Sequence, residues 1–152
     1  MPYTMNEGLP SDDLLDEGNM ILVIDDMMDE AQSFISTVFT RTSHHKNIVC
    51  IFLGQNLFPK GKYSRTISLN ANYIVLMKNS RDRAQISHLA KQVYPQNSRF
   101  LVDAYHDATT NAFSYLFLDF KPETLDERRI LSGVLSQEET FAYVPQKYKR
   151  QT

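Results

Sequence analysis

Two adjacent carboxylates, Asp25 and Asp26, close an aliphatic run, ILVIDD at residues 21–26. Four aliphatics followed by two acids read as a buried strand with both carboxylates at its C-terminal end. In an open α/β sheet, that edge is where ligands bind. One carboxylate there can hold Mg²⁺, directly or through water, while a second orients or deprotonates an attacking water. This is the Walker B arrangement of nucleotide hydrolases. Two other readings stay open at this point. Phosphoreceiver domains also hold Mg²⁺ with an acidic pair after a first strand, and such a pair can simply cap the following helix. A receiver needs a phosphoacceptor aspartate at the end of the strand near residue 54. That run ends Gly54-Gln55-Asn56, without a carboxylate, which demotes the receiver reading even though Lys78 could pass for the receiver lysine. Gln55 and Asn56 suit a hydrolase better, because an amide offers donors and an acceptor together to an attacking water and a γ-phosphate. The plain alternative for that pair is a turn. His44 and His45 are adjacent and so make a poor chelate, and Cys50 and His88 do not complete a ligand set. No histidine metal site is expected.

These residues need a scaffold, and the hydrophobic pattern supplies one. Strand-length apolar runs occur at Met20–Asp25, Ile48–Gly54, Tyr73–Lys78 and Tyr115–Phe120. None alternates cleanly, which predicts strands buried on both faces, as in a parallel sheet covered by helices. Helical spacing places Ala31, Phe34, Ile35, Val38 and Phe39 on one face of Asp29–Arg41. It does the same for Ile86, Leu89, Ala90 and Val93 in Arg81–Val93, with Ser80 as N-cap and Tyr94-Pro95 as terminator. A further helix over Arg99–Thr109 carries Leu101, Ala104, Tyr105 and Ala108, capped by Ser98. Residues 56–70 read as a basic loop leading into a short helix. Strands alternating with helices predict a three-layer α/β fold with a mainly parallel sheet.

The 152 residues are 42% hydrophobic and 22% charged, a balance that supports one domain with a real core. It excludes a disordered tail and a collagen-like chain. One cysteine, Cys50, excludes an internal disulfide and gives no sign of an oxidising compartment. Neither a membrane-spanning run nor the pattern of a signal peptide occurs, so a soluble intracellular protein is expected. The formal net charge of −2 conceals an asymmetry. Residues 1–30 hold nine acids and no Lys or Arg, whereas Arg41 to Lys91 hold nine basic residues against one acid, Asp82. A basic body of this kind suits phosphates, of nucleotide or nucleic acid, as well as it suits plain solvation.

Several segments in order carry a resemblance: ILVIDDMMDE, FTRTSHHKN, IVCIFLGQNLFPKGKYSRTISLN, YIVLMKNSRDRAQISHLAKQVYP and YLFLDFKPET. Together they resemble the FtsK/HerA-type ATPases that package viral genomes. More narrowly, they are similar to the poxvirus-like packaging ATPases of Maverick/Polinton transposons and related large DNA viruses. The resemblance spans residues 7 to about 131. It implies that Asp25 positions Mg²⁺ through water, that Asp26 is the catalytic carboxylate and that Gln55 is the polar sensor, with Asn56 beside it at the nucleotide. Arg41 and Arg65 become the candidates for an arginine finger reaching a neighbour's ATP, and Arg81 and Arg83 could serve similarly or contact DNA. The implied cofactors are ATP and Mg²⁺. The implied partners are double-stranded DNA and further copies in a ring, without a membrane, in a nucleus or viral factory.

The sequence departs from that family in one respect. No GxxxxGK[ST] loop occurs. The nearest imitation, Gly54 to Tyr63, has six residues between its glycines, puts Tyr63 where Ser or Thr should bind Mg²⁺, and follows the acidic pair instead of preceding it. The expectation is therefore a partial P-loop (RecA/FtsK-like) core lacking the P-loop strand. Residues 1–19 would form a poorly ordered lead-in, 20–131 the partial ATPase domain and 132–152 a tail. In the family the missing strand lies between the sensor strand and the next one, so Ile48–Gly54 and Tyr73–Lys78 must pair directly or expose edges. Two functions follow. One is the C-terminal part of a packaging motor, inactive alone. The other is a non-enzymatic DNA-binding or ring-partner module derived from one.

Overall fold

The computed structural model describes residues 3–16, 19–25, 32–58, 62–135 and 139–146. Asp26 and the basic run at 147–150 lie outside the described residues. The chain divides into two compact units, one ending at Ala71 and one beginning at Asn72. Both are mixed α/β, and each is described by itself.

The first unit opens with α1 (Asp12–Asp16), followed by β1 (Ile21–Asp25). A helical run then crosses to β2 (Val49–Leu53) as α2 (Gln32–Thr37), one π-helical stretch (Val38–Thr42) and α3 (Ser43–Lys46). The unit ends with α4 (Ser64–Asn70). The single helical crossover returns the chain to the starting edge, so β1 and β2 pair in parallel, from Ile21 opposite Val49 to Asp25 opposite Leu53. The helical run outlasts the expected end at Arg41. Thr37 and Thr40 bond their hydroxyls back to the carbonyls of Ser33 and Ser36, an arrangement that loosens regular α-helical bonding next to the π stretch. Asn47 stops the run with a left-handed backbone, φ 53°, which Asn tolerates far better than a residue without a short polar side chain. Its side-chain amide donates to Asn19 Oδ1 at 2.8 Å. The Asn19 N–H donates to the Lys46 carbonyl at 3.1 Å, which ties the entrance of β1 to the helix end.

Period-two alternation sends Leu22, Ile24, Cys50 and Phe52 to the helical side, where Ile24, Ile35 and Ile67 form the core together with Phe34, Phe39 and Tyr63. Ile21, Val23, Val49, Ile51 and Leu53 point the other way and remain 43–57% exposed. The expectation of burial on both faces therefore fails for this sheet. Among the described residues one helical layer covers it, on the side of Ile24 and Phe52.

The second unit contains β3 (Tyr73–Met77), α5 (Ala84–Val93), α6 (Ser98–Ala108), β4 (Tyr115–Asp119), a 3₁₀ turn (Asp126–Arg128), β5 (Ile130–Ser132) and β6 (Phe141–Ala142). Its four strands lie in the order β3-β4-β5-β6, and every ladder is antiparallel. The expected mainly parallel sheet is thus limited to β1 and β2. The cause is the number of crossings. At ~1.5 Å per residue, each of the two helices is about as long as a five-residue strand at ~3.3 Å per residue. Two passes return the chain to the end at which β3 finished, and β4 must then run antiparallel. Ile86, Leu89, Ala90, Leu101, Ala104 and Tyr105 of the helices are buried, as are Leu76, Leu116, Leu118 and Ile130 of the sheet. Tyr94 and Phe100 meet edge to face at 5.2 Å across the turn between the helices.

Both expected caps are corrected. Ser80 does not cap α5, because the turn before that helix is closed by Asn79, whose Oδ1 accepts the N–H groups of Arg81 and Asp82 at 2.9 and 3.1 Å. Ser98 is the first residue of α6 and Asn97 is its cap, without a side-chain bond. The Tyr94-Pro95 terminator acts where expected. No helix among the described residues is long and apolar enough to cross a membrane.

Candidate functional site

In the first unit, the parallel register decides what meets. Asp25 is the last residue of β1 and lies opposite Leu53, the last residue of β2. Gln55 and Asn56 follow two and three residues later, so Asp25 and the two amides leave the sheet at the same, C-terminal edge. All three are exposed. Gly54 sits at this exit, where a Cβ would stand 3.3 Å from the Phe52 ring, and a larger residue would have to displace that ring. By alternation, Asp25 shares the side of Ile21 and Val23, the face without helices.

The arginines lie elsewhere. Arg41 is on the π stretch, beyond the middle of a crossover that begins at the C-terminal edge and ends where β2 begins. It therefore lies toward the edge opposite Asp25. Arg65 is exposed in the first turn of α4. Neither makes an ion pair among the described residues. The register thus places Asp25, Gln55 and Asn56 at one edge of the strand pair, whereas Arg41 lies on the crossover. Arg81 and Arg83 belong to the second unit, on the turn before α5.

The described residues contain no group of three or more His, Cys, Asp or Glu side chains able to hold a metal ion. A dedicated metal cage is therefore not formed by these residues. A Mg²⁺ that arrives on nucleotide phosphates needs only one or two carboxylates, since phosphate oxygens and waters fill its remaining positions. Asp25 fits that lesser demand. His45 is exposed on α3. Cys50 faces the core beneath the helices, and burial pushes its thiol up to about 11. A thiol held protonated in this way is a packing residue and a poor nucleophile.

One feature was not anticipated from the sequence. In the second unit, Lys78, Arg83 and His106 line a single cavity of about 190 Å³ at the end of β3. Its signal in the sequence is the polar run Lys78-Asn79-Ser80, placed where an apolar strand ends.

No family model, no curated protein and no solved structure matches this chain.

Proposed function

We propose that the chain is the C-terminal part of a genome-packaging ATPase of the FtsK/HerA type, which in the complete protein couples ATP hydrolysis to translocation of double-stranded DNA. The observation that carries this reading is the shared edge of a parallel strand pair. An acidic residue ends β1, an amide pair follows β2, and the register sets Asp25 level with Leu53. In this role Asp25 holds Mg²⁺ through water, Asp26 activates the attacking water, and Gln55 with Asn56 senses the γ-phosphate. ATP with Mg²⁺ supplies the reacting phosphoryl group and its charge neutralisation when bound. The chain's own residues orient the water and the metal. Arg41, distant from Asp25 along the crossover, suits a finger that acts on a neighbouring copy in a ring, and Arg65 is the alternative.

The finer fold belongs to the same proposal, a P-loop core that lacks its P-loop strand. Two facts support it. Among the described residues, β2 and β3 each end a sheet with one edge unladdered. The helix-free face of β1 and β2 is apolar, as a strand pair prepared for a further layer would be. An isolated chain without the phosphate cradle is expected not to turn over ATP.

Arg41 and Arg65, exposed and without an ion pair among the described residues, support the second reading, a non-enzymatic module that binds DNA or completes rings of other subunits. The intact mass of the protein from its native source separates the two. A mass well above 17.6 kDa, with upstream peptides carrying GxxxxGK[ST], supports the motor. A mass near that value removes autonomous hydrolysis and leaves the module.

A further inference from the structure

We infer that the cavity at the end of β3 is a binding site for a phosphate oxyanion. The inference rests on the second unit alone and stands independently of any nucleotide at Asp25.

The cavity is built by the end of the strand. Tyr105, buried on α6, donates its hydroxyl to the Met77 carbonyl at 3.1 Å and accepts the Asn79 N–H at 2.8 Å. That bridge fixes the point at which the chain leaves the sheet. Asn79 then folds residues 79–82 into a turn through its Oδ1. Lys78 closes one side by donating from Nζ to the Thr110 carbonyl at 2.8 Å. The resulting space, about 190 Å³, is many times the ~10–15 Å³ that a single water needs.

Its lining has one sign. Lys78 and Arg83 bring two positive charges, His106 adds an imidazole, and no carboxylate lines the cavity. The acids next to these residues in sequence are engaged: Asp82 accepts from Gln85 Nε2 at 2.8 Å, and Asp107 accepts from the Tyr143 hydroxyl at 2.7 Å. Neither Lys78 nor Arg83 has an ion-pair partner among the described residues. Donor capacity remains. The Lys78 ammonium uses one of its three N–H groups on Thr110, the Arg83 guanidinium has five, and the Ser80 hydroxyl makes no hydrogen bond among the described residues. Two cations without an ion pair and a hydroxyl without a hydrogen bond among the described residues, around one concave space, suit a tetrahedral oxyanion, which accepts several charge-assisted hydrogen bonds at once. A lysine that only closed the end of α6 would account for Lys78, but not for Arg83 and His106 on the same cavity.

A phosphodiester backbone and a free or nucleotide phosphate present the same chemistry, and one experiment separates them. The full chain is titrated by ¹H–¹⁵N NMR with sodium phosphate, with a random-sequence DNA duplex, and with sodium chloride at matched ionic strength. Saturable shifts at the Ser80 and Thr110 amides and the His106 ring with phosphate or duplex, absent with chloride, are expected. Arg83→Gln should weaken them about tenfold, the loss of one charged hydrogen bond. Lys78→Gln should do the same, and each variant is first checked for a native spectrum. Because Arg83 is exposed, R83Q alone carries the test if K78Q disturbs the fold. Tighter binding of duplex, weakening steeply with salt, identifies a nucleic-acid backbone as the source. Binding of phosphate without duplex identifies a free or nucleotide phosphate. Absence of saturable shifts with both ligands, or shifts unchanged in R83Q, overturns the inference.

Discussion

Among the described residues, Asp25 takes its position from the strand register. It is exposed, and only strand register brings it level with Gln55 and Asn56. In the complete protein, Asp26→Asn is expected to abolish hydrolysis while sparing ATP binding, and steady-state turnover beside equilibrium nucleotide binding checks this. Retained turnover would remove Asp26 from the catalytic role. Tyr105 and Cys50 allow tests on the chain itself. Tyr105→Phe leaves the Met77 carbonyl and the Asn79 N–H without their shared partner, and should cost about 1–3 kcal/mol in urea denaturation. Cys50 should resist thiol reagents. With its thiol raised from 9.0 to about 11 by burial, its thiolate fraction at pH 8 is about a hundredfold lower than that of a free thiol. The sign of the linked stability follows. Below pH 9 both folded and unfolded thiols are protonated and Cys50 contributes no pH dependence. Between about 9 and 11 the unfolded thiol ionises first, so stability falls with rising pH. Cys50→Ala should flatten that slope, as read by denaturation midpoints across the range.

At the scale of elements, the helix-ending Asn47 gives a clean test. Asn47→Ala places a Cβ without a compensating amide in the left-handed region and also removes the bond to Asn19. A loss of about 1–2 kcal/mol is expected, whereas Asn47→Gly should lose less, because glycine adopts that backbone freely. Thermal melts of the two variants side by side distinguish them. The same scale shows what was legible in the residues. All four long strands and both long helices were readable, because five-residue apolar runs and 3.6-residue spacing are local signals. The direction of β4 was also written there, as two helices between β3 and β4 in place of one, but continuous apolar character was read as parallel burial. The caps expected at Ser80 and Ser98 lie one to three residues away: the Asn79 side chain takes the backbone donors of the turn before α5, and α6 starts one residue early, with Asn97 at its cap and no side-chain bond. Of the candidate site, the Asp25–Gln55 edge was legible since it needs only strand ends. The Lys78–Arg83–His106 cavity was not, since it joins residues separated in sequence and depends on how α6 ends against β3.

Each of the two units leaves apolar sheet residues exposed among its described residues. Ile21, Val23, Val49, Ile51 and Leu53 are each about half exposed. Covering them would contribute about 1 kcal/mol apiece, half of the ~1.5–3 kcal/mol for complete burial. A second exposed set, Tyr73, Val75 and Met77, lies on β3. Runs of Ile, Val and Leu in strands encode a demand for burial, and among the described residues of the first unit no layer meets it on this face. In the motor reading, the rest of the ATPase core is that layer. Whether the Asp25 edge serves ATP hydrolysis is read from Mg²⁺-dependent ATP turnover of the native-length protein with double-stranded DNA present, wild type against Asp25→Asn. The account predicts turnover in the wild type and its loss by at least about 10²-fold in the variant, the scale seen when one group essential to the transition state is removed. Equal turnover in both, or none in the wild type, would contradict it.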